Sequence, residues 1–184
     1  MSRNDVLFEW DELNLIRREA RILWQKPPDR KKREEFCDWL EFVLCLIYGY
    51  GWQSTEMEIG IVSVEWNGDL ETVNLEIAGQ TFRDRILNED TVDEILRVID
   101  TEAVRDYNAG AYNAAKASGK PNLHKKWYTM RDDRVRDSHQ YLEGMVVGID
   151  DLFYTEDGDS AMYPGGFSLP ENNVNCRCSV GIVP

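Results

Sequence analysis

The residues able to do chemistry are few and lie towards the C-terminal end. His124 and His139 are the only histidines in the chain, so a histidine-dependent mechanism has two candidates. His139 comes four residues after Val135 and three before Leu142, on the inward side of a short helix. Its ordinary reading is a buried imidazole bonded to a backbone carbonyl. General-base work would need a nucleophile that the sequence does not nominate. Cys176 and Cys178 are two residues apart, so on a strand their thiols share one face, where a disulfide would be strained. The same spacing presents two thiolates to one metal, with His139 as a third ligand. Structural zinc takes four ligands, and neither His124 nor an acid such as Asp132 is marked by spacing as the last. Ordinary buried thiols are the preferred reading, with no metal or cofactor expected. Arg177 faces the other way, free to clamp Glu102, Asp132 or a loop carbonyl.

Two further groups of acids need placing. Glu102 and Asp106 fall at the edge of a helical apolar stripe, and the bland reading makes them solvated shoulder residues. The sharper reading has them project into a polar site. Asp150, Asp151, Glu156, Asp157 and Asp159 crowd a loop that approaches a calcium-loop pattern only locally, so a solvated turn is expected. The chain has no Gly-rich phosphate loop, Gly-x-Ser-x-Gly elbow, His-Glu-x-x-His or paired Cys-x-x-Cys.

The elements that must position these residues follow from periodicity. Leu7, Trp10, Leu13 and Leu15 predict an amphipathic helix over Asp5 to Gln25, stopped by Pro27-Pro28. A second helix, capped by Asp29, carries Phe36, Trp39, Leu40, Val43, Leu44 and Ile47 and should end at Tyr48-Gly-Tyr-Gly. Cys37 and Cys45 sit in it as buried, hydrophobe-like thiols. Alternation from Met57, Ile59 and Ile61 through Val64 and Trp66, then Val73, Leu75 and Ile77, predicts a hairpin about Asn67-Gly68. Thr91 and Glu94 open a long helix with Val92, Ile95, Leu96, Ile99 and Ala103 on one stripe, ending near Gly119. Thr129 or Asp132 should cap a short helix through Val135, His139 and Leu142, closed by Gly144, with a short strand from Met145. A long loop spans Asp150 to Pro170, and Val174 to Ile182 should be a half-buried strand.

These elements make an α+β fold: an N-terminal helix pair packed separately from a C-terminal core of one long helix, a short helix and antiparallel strands. The expected divisions are 1–52 (helical), 53–90 (hairpin and connector) and 91–184 (C-terminal domain). Composition narrows the function. With 42% hydrophobic residues the chain can form a packed core, and a net charge of −13 repels a phosphate backbone, which disfavours general nucleic-acid coating. No apolar run approaches the ~20 residues of a membrane span, and Met-Ser-Arg-Asn-Asp lacks the layout of a secretory signal. A soluble, intracellular-type protein is expected.

The order of motifs in the C-terminal half is more specific than any one of them. Thr101-Glu102 and Tyr107-Asn108-Ala109-Gly110 are followed by Lys126-Trp127-Tyr128-Thr129 and then by Asp133-Arg134-Val135-Arg136-Asp137-Ser138-His139. Leu142-Glu143-Gly144, Phe153, Pro164-Gly165-Gly166 and Asn175-Cys176-Arg177-Cys178 complete it. This resembles the phage Mu F-like minor head proteins, or head morphogenesis proteins, of tailed phages and prophages, from about Thr81 to Val183. The resemblance implies a minor capsid component in the virion, or in host cytoplasm during assembly. It would act near the portal in head assembly and DNA packaging or ejection, with portal and other capsid proteins as partners and a homo-oligomer possible. The motif residues carried over are Glu102, Trp127, Asp133, Arg136, His139, Gly144, Asn175, Arg177 and Cys178. Related domains also occur in bacterial toxins, so the alternative is a toxin-like nuclease or transferase using His139, Glu102 and Arg136. In either case Glu102, Arg136, His139 and Arg177 are expected to converge. The helix pair and hairpin depart from the long helical region that precedes the domain in many relatives.

Overall fold

A computed structural model describes residues 10–61, 73–76 and 79–184. Helix α1 spans Asp11–Leu23, with Leu13, Ile16 and Ala20 buried at helical spacing. The predicted start at Asp5 lies outside the described residues. Pro27-Pro28 separates α1 from α2, Arg30–Ile59, whose first turn is capped by Asp29 accepting from the Lys32 N–H at 3.0 Å. Arg33 ties this end of α2 to the chain ahead of the long helix, donating to the carbonyls of Pro28, Leu87 and Glu89 at 3.0, 3.1 and 2.6 Å.

The second helix does not stop at Tyr48-Gly-Tyr-Gly. It runs through both glycines to Ile59 and is closed by Gly60 in the left-handed conformation at φ 62°. The reason is packing. A Cβ on Gly51 would stand 1.9 Å from the Tyr107 carbonyl oxygen, and one on Gly110 would stand 2.0 Å from that of Tyr48. These glycines let two helix backbones touch and do not break either one. Met57 and Ile59, expected in a strand, therefore lie in the last helical turn, Ile59 buried and Met57 exposed. Asn67-Gly68 lies outside the described residues. Val73, expected in the second strand, is in a helical turn and buried.

Helix α3, Phe82–Asn88, starts with a reciprocal cap between Thr81 and Asp84. Helix α4, Val92–Ala117, follows with the Thr91 side chain accepting from the Glu94 N–H, close to the predicted bounds. The core of α1, α2, α3 and α4 is continuous, from Leu13 and Ile16 through Leu40 and Ile47 to Ile95, Ile99 and Tyr107. The helix pair thus does not pack separately. Trp10 lies against both Tyr50 and Tyr107, at ring separations of 5.7 and 5.3 Å.

Strand β1, His124–Tyr128, is central in an antiparallel sheet of order β2-β1-β5, with β2 at Val146–Gly148 and β5 at Ser179–Val183. A single-turn helix α5, Asp137–Gln140, lies between β1 and β2. The two-residue strands β3, Phe153–Tyr154, and β4, Ser160–Ala161, pair antiparallel inside the long loop, and α6 is Pro170–Asn173. Two predictions are shortened. The helix at His139 is one turn without a side-chain cap: Asp132 instead accepts from the Arg134 N–H, and Thr129 bonds Glu143. The last strand begins at Ser179, because Asn175 takes φ 57° and turns the chain at 174–178. No helix among the described residues is long and apolar enough to cross a membrane.

Candidate functional site around His139

A second core gathers about Trp127, which is fully buried on β1 with Leu142, Phe153, Phe167, Cys176, Cys178 and Val180 around it. Gly144, at φ 76°, holds the end of this strand: its N–H donates to the Trp127 carbonyl at 2.9 Å, and the Trp127 N–H donates to Met145 at 2.9 Å. Trp127 and Phe167 pack against the imidazole of His139, at 5.5 and 5.2 Å between ring centres.

His139 Nδ1 faces two sulfurs. Cys176 Sγ and Cys178 Sγ each lie 3.7 Å from it, and all three side chains are buried. The carbonyl expected as its partner is not there, and His139 Nε2 is buried without a hydrogen bond. The thiols converge although 174–178 is not a strand. The Cys176 N–H donates to the Asn173 carbonyl at 3.0 Å, and the Cys178 carbonyl accepts from Asn108 Nδ2 at 3.1 Å. Asn108, buried on α4, also accepts from the Val180 N–H at 2.8 Å, so one amide fixes both Cys178 and the start of β5 to the long helix. Sequence reasoning included Asn108 in the Tyr107–Gly110 motif but gave it no role, although a polar residue amid a small-residue helical run was the signal.

Around this cluster the arginines are engaged elsewhere. Arg177 points away from the thiols and forms a two-pronged pair with Asp132 at 2.8 and 2.6 Å. Its hydrogen bonds hold the Asp132 carboxyl down to about 2. Arg136 donates to the carbonyls of Glu171 and Val174, fastening α6 and the following turn. His139, Arg136, Asn175, Cys176, Arg177 and Cys178 line one small cavity. Asp133 and His124 are exposed.

Glu102 lies in a different network. It is fully buried on α4, paired with Arg85 and, at 2.7 Å, with Arg105. Arg105 also donates to Asp106 at 3.1 Å and to the Val73 and Leu75 carbonyls at 2.7 and 3.2 Å. Glu102 and Asp106 are thus not solvated shoulders. Burial, with the neighbouring Glu102 charge, raises the Asp106 carboxyl well above the ordinary carboxylate range, against the lowering pull of Arg105. Glu102 has no hydrogen bond to Arg136, His139 or Arg177 among the described contacts. The structure brings Arg136, His139 and Arg177 to one cavity and leaves Glu102 with Arg85 and Arg105. The acid loop also differs from expectation, since Asp159 is buried and accepts from several groups of the chain.

The family described as "Phage Mu protein F like protein" matches residues 74–181, more than half of the chain. The chain belongs to this family. The matched stretch holds α3, α4 and the whole His139 cluster, while α1 and α2 precede it. A relative from Enterococcus faecalis, strain ATCC 700802 / V583, named NAD(+)--arginine ADP-ribosyltransferase EFV, is 38% identical over 101 residues, 52% of this chain and 20% of its own length. Minor head protein GP7 of Bacillus phage SPP1 is 32% identical over 81 residues, 44% of this chain and 26% of its own length. The chain therefore matches about a fifth to a quarter of these relatives. No solved structure matches it.

Proposed function

We propose that this protein is a minor head component of a tailed phage or prophage, acting near the portal in head assembly and in DNA packaging or ejection. The observation that carries the reading is the family match across 74–181 together with the likeness to minor head protein GP7. Two features support it. His139, Cys176 and Cys178, the groups most able to do chemistry, are buried, and the net charge of −13 suits protein partners over packaged DNA. Portal and other capsid proteins are the proposed partners, and the virion the proposed location.

The likeness to a transferase supports a second reading, a toxin-like enzyme using His139, Glu102 and Arg136. The separate ion-pair network of Glu102 speaks against a joint catalytic role. Deleting the gene from the phage or prophage that carries it tests the first reading. Loss of infectious particles, with the protein present in wild-type heads by mass spectrometry, is expected. Full infectivity from particles that never contain it would overturn the reading. Growth arrest of a sensitive host on expression, lost in folded His139→Ala, would favour the enzyme.

A further inference from the structure

The contact between His139 and the two cysteines is the part of the molecule that its protein-only chemistry explains least well. Nδ1 carries either one proton or one lone pair, so two sulfurs can share it only in a weak three-centre contact. Yet both stand at the same 3.7 Å. The donor atoms of His139, Cys176 and Cys178 all lie within 4.8 Å of one another. A tetrahedral zinc ion, with bonds of about 2.3 Å to sulfur and about 2.0 Å to nitrogen, spaces sulfur from nitrogen by about 3.5 Å and its two sulfurs by about 3.8 Å. Both sulfur-to-nitrogen separations are within about 0.2 Å of that spacing, and the two sulfurs, within 4.8 Å of one another, need to close by no more than about 1 Å on such an ion.

The donor set and its surroundings agree. Two thiolates and an imidazole are borderline-soft ligands suited to zinc, and two thiolate charges cancel a divalent cation, so no net charge is buried. Arg136 and Arg177, which flank the thiols, are bonded to carbonyls and to Asp132 and do not compete for sulfur. Among the described residues no fourth histidine, cysteine or carboxylate joins the group. The cavity beside it has a volume of about 10 Å³, close to that needed by one water.

We propose that His139 Nδ1, Cys176 Sγ and Cys178 Sγ bind one zinc ion, with a water in this cavity as the fourth ligand. The ion clips the turn at 174–178 to α5 across 37 and 39 residues of chain. It thereby fixes the entry to β5 and the Trp127 core. The inference is independent of the role in phage heads.

The test uses the full chain, purified under reducing conditions without chelator, stripped of metal, and then returned to zinc alone. About one zinc per chain should survive gel filtration, by elemental mass spectrometry. Cobalt in its place should give the sulfur-to-metal charge-transfer and strong visible bands of a tetrahedral thiolate site. Cys176→Ser, Cys178→Ser and His139→Gln should each cut retained zinc at least about tenfold, whereas Cys37→Ser and Cys45→Ser should leave it unchanged. Retained zinc below about a tenth of an equivalent in folded wild-type protein would overturn the proposal, and this result needs no variant to fold. So would zinc that persists in Cys176→Ser/Cys178→Ser, since it would then sit elsewhere.

Discussion

At Asp159 a buried carboxylate accepts five hydrogen bonds: from the Ser160 and Ser168 N–H groups at 2.8 and 3.3 Å, Ser168 Oγ at 2.6 Å, the Leu169 N–H at 3.0 Å and Asn172 Nδ2 at 3.1 Å. Burial alone would raise its pKa, but these bonds outweigh it and hold the group at about 2, against an ordinary 3.8. Because the folded value lies below the unfolded one, the stabilisation is complete above about pH 4 and is lost as pH falls towards about 2. A shift of this size corresponds to about 2 kcal/mol. Asp159→Asn should therefore lower the unfolding free energy at pH 7 by about 2 kcal/mol, measured by urea denaturation, and should flatten the acid limb between pH 4 and pH 2. Equal stability at pH 7 and an unchanged acid limb would show that the carboxylate does not hold this loop. The residue was legible as an acid in a turn-rich segment. Its burial was not, because five donors reach it only once the loop has folded back over α6.

Where α2 crosses α4, the contact is made by backbone on both sides. Gly51 meets the Tyr107 carbonyl and Gly110 meets the Tyr48 carbonyl, and neither neighbour can swing aside as a long side chain would. Gly51→Ala or Gly110→Ala must push the helices apart, opening the core around Tyr107 and Ala111, at a cost of about 3 kcal/mol or more. For a chain of this length that is a fall in melting temperature of about 10 °C, readable by circular dichroism. The double variant should lose less than the sum of the singles, since one displacement makes room for both methyl groups. Melting temperatures within a degree or two of wild type would mean that the helices do not touch in this way. Sequence reasoning took the Gly-Tyr-Gly stretch as a helix end, because glycine has a low helix propensity and often follows a last turn. A backbone contact with a helix almost 60 residues further on overrides that local preference.

At the scale of the whole molecule, α4 serves two cores. One face carries Ile95, Ile99 and Tyr107 against α1, α2 and α3, while Ala111 reaches the Trp127 core and Asn108 holds β5. Removing the N-terminal pair should therefore expose a broad apolar face of α4. The segment Thr81–Pro184, expressed alone, should be poorly soluble or should bind a hydrophobic dye without a cooperative melt. A soluble segment that melts cooperatively at the wild-type temperature would make the pair a dispensable appendage. The family match begins at residue 74, so the cover supplied by α1 and α2 belongs to this chain outside the matched region.

By itself the sequence determined the α+β class, the two long helices with their Asp29 and Thr91 caps, and the family, because periodicity, capping and an ordered string of motifs are local or collinear signals. It also marked His139, Cys176 and Cys178 as a possible cluster from spacing and residue type. Tertiary structure alone decided that Glu102 and Asp106 are buried with Arg85 and Arg105, that Gly51 and Gly110 are contact points, and that His139 meets sulfur and not a carbonyl. Each of these depends on which partner arrives from a distant part of the chain. A side chain's place on its own helix or strand fixes only the direction it faces. Whether water, a carbonyl, a guanidinium or a thiol stands there is set by the packing of elements far apart in sequence.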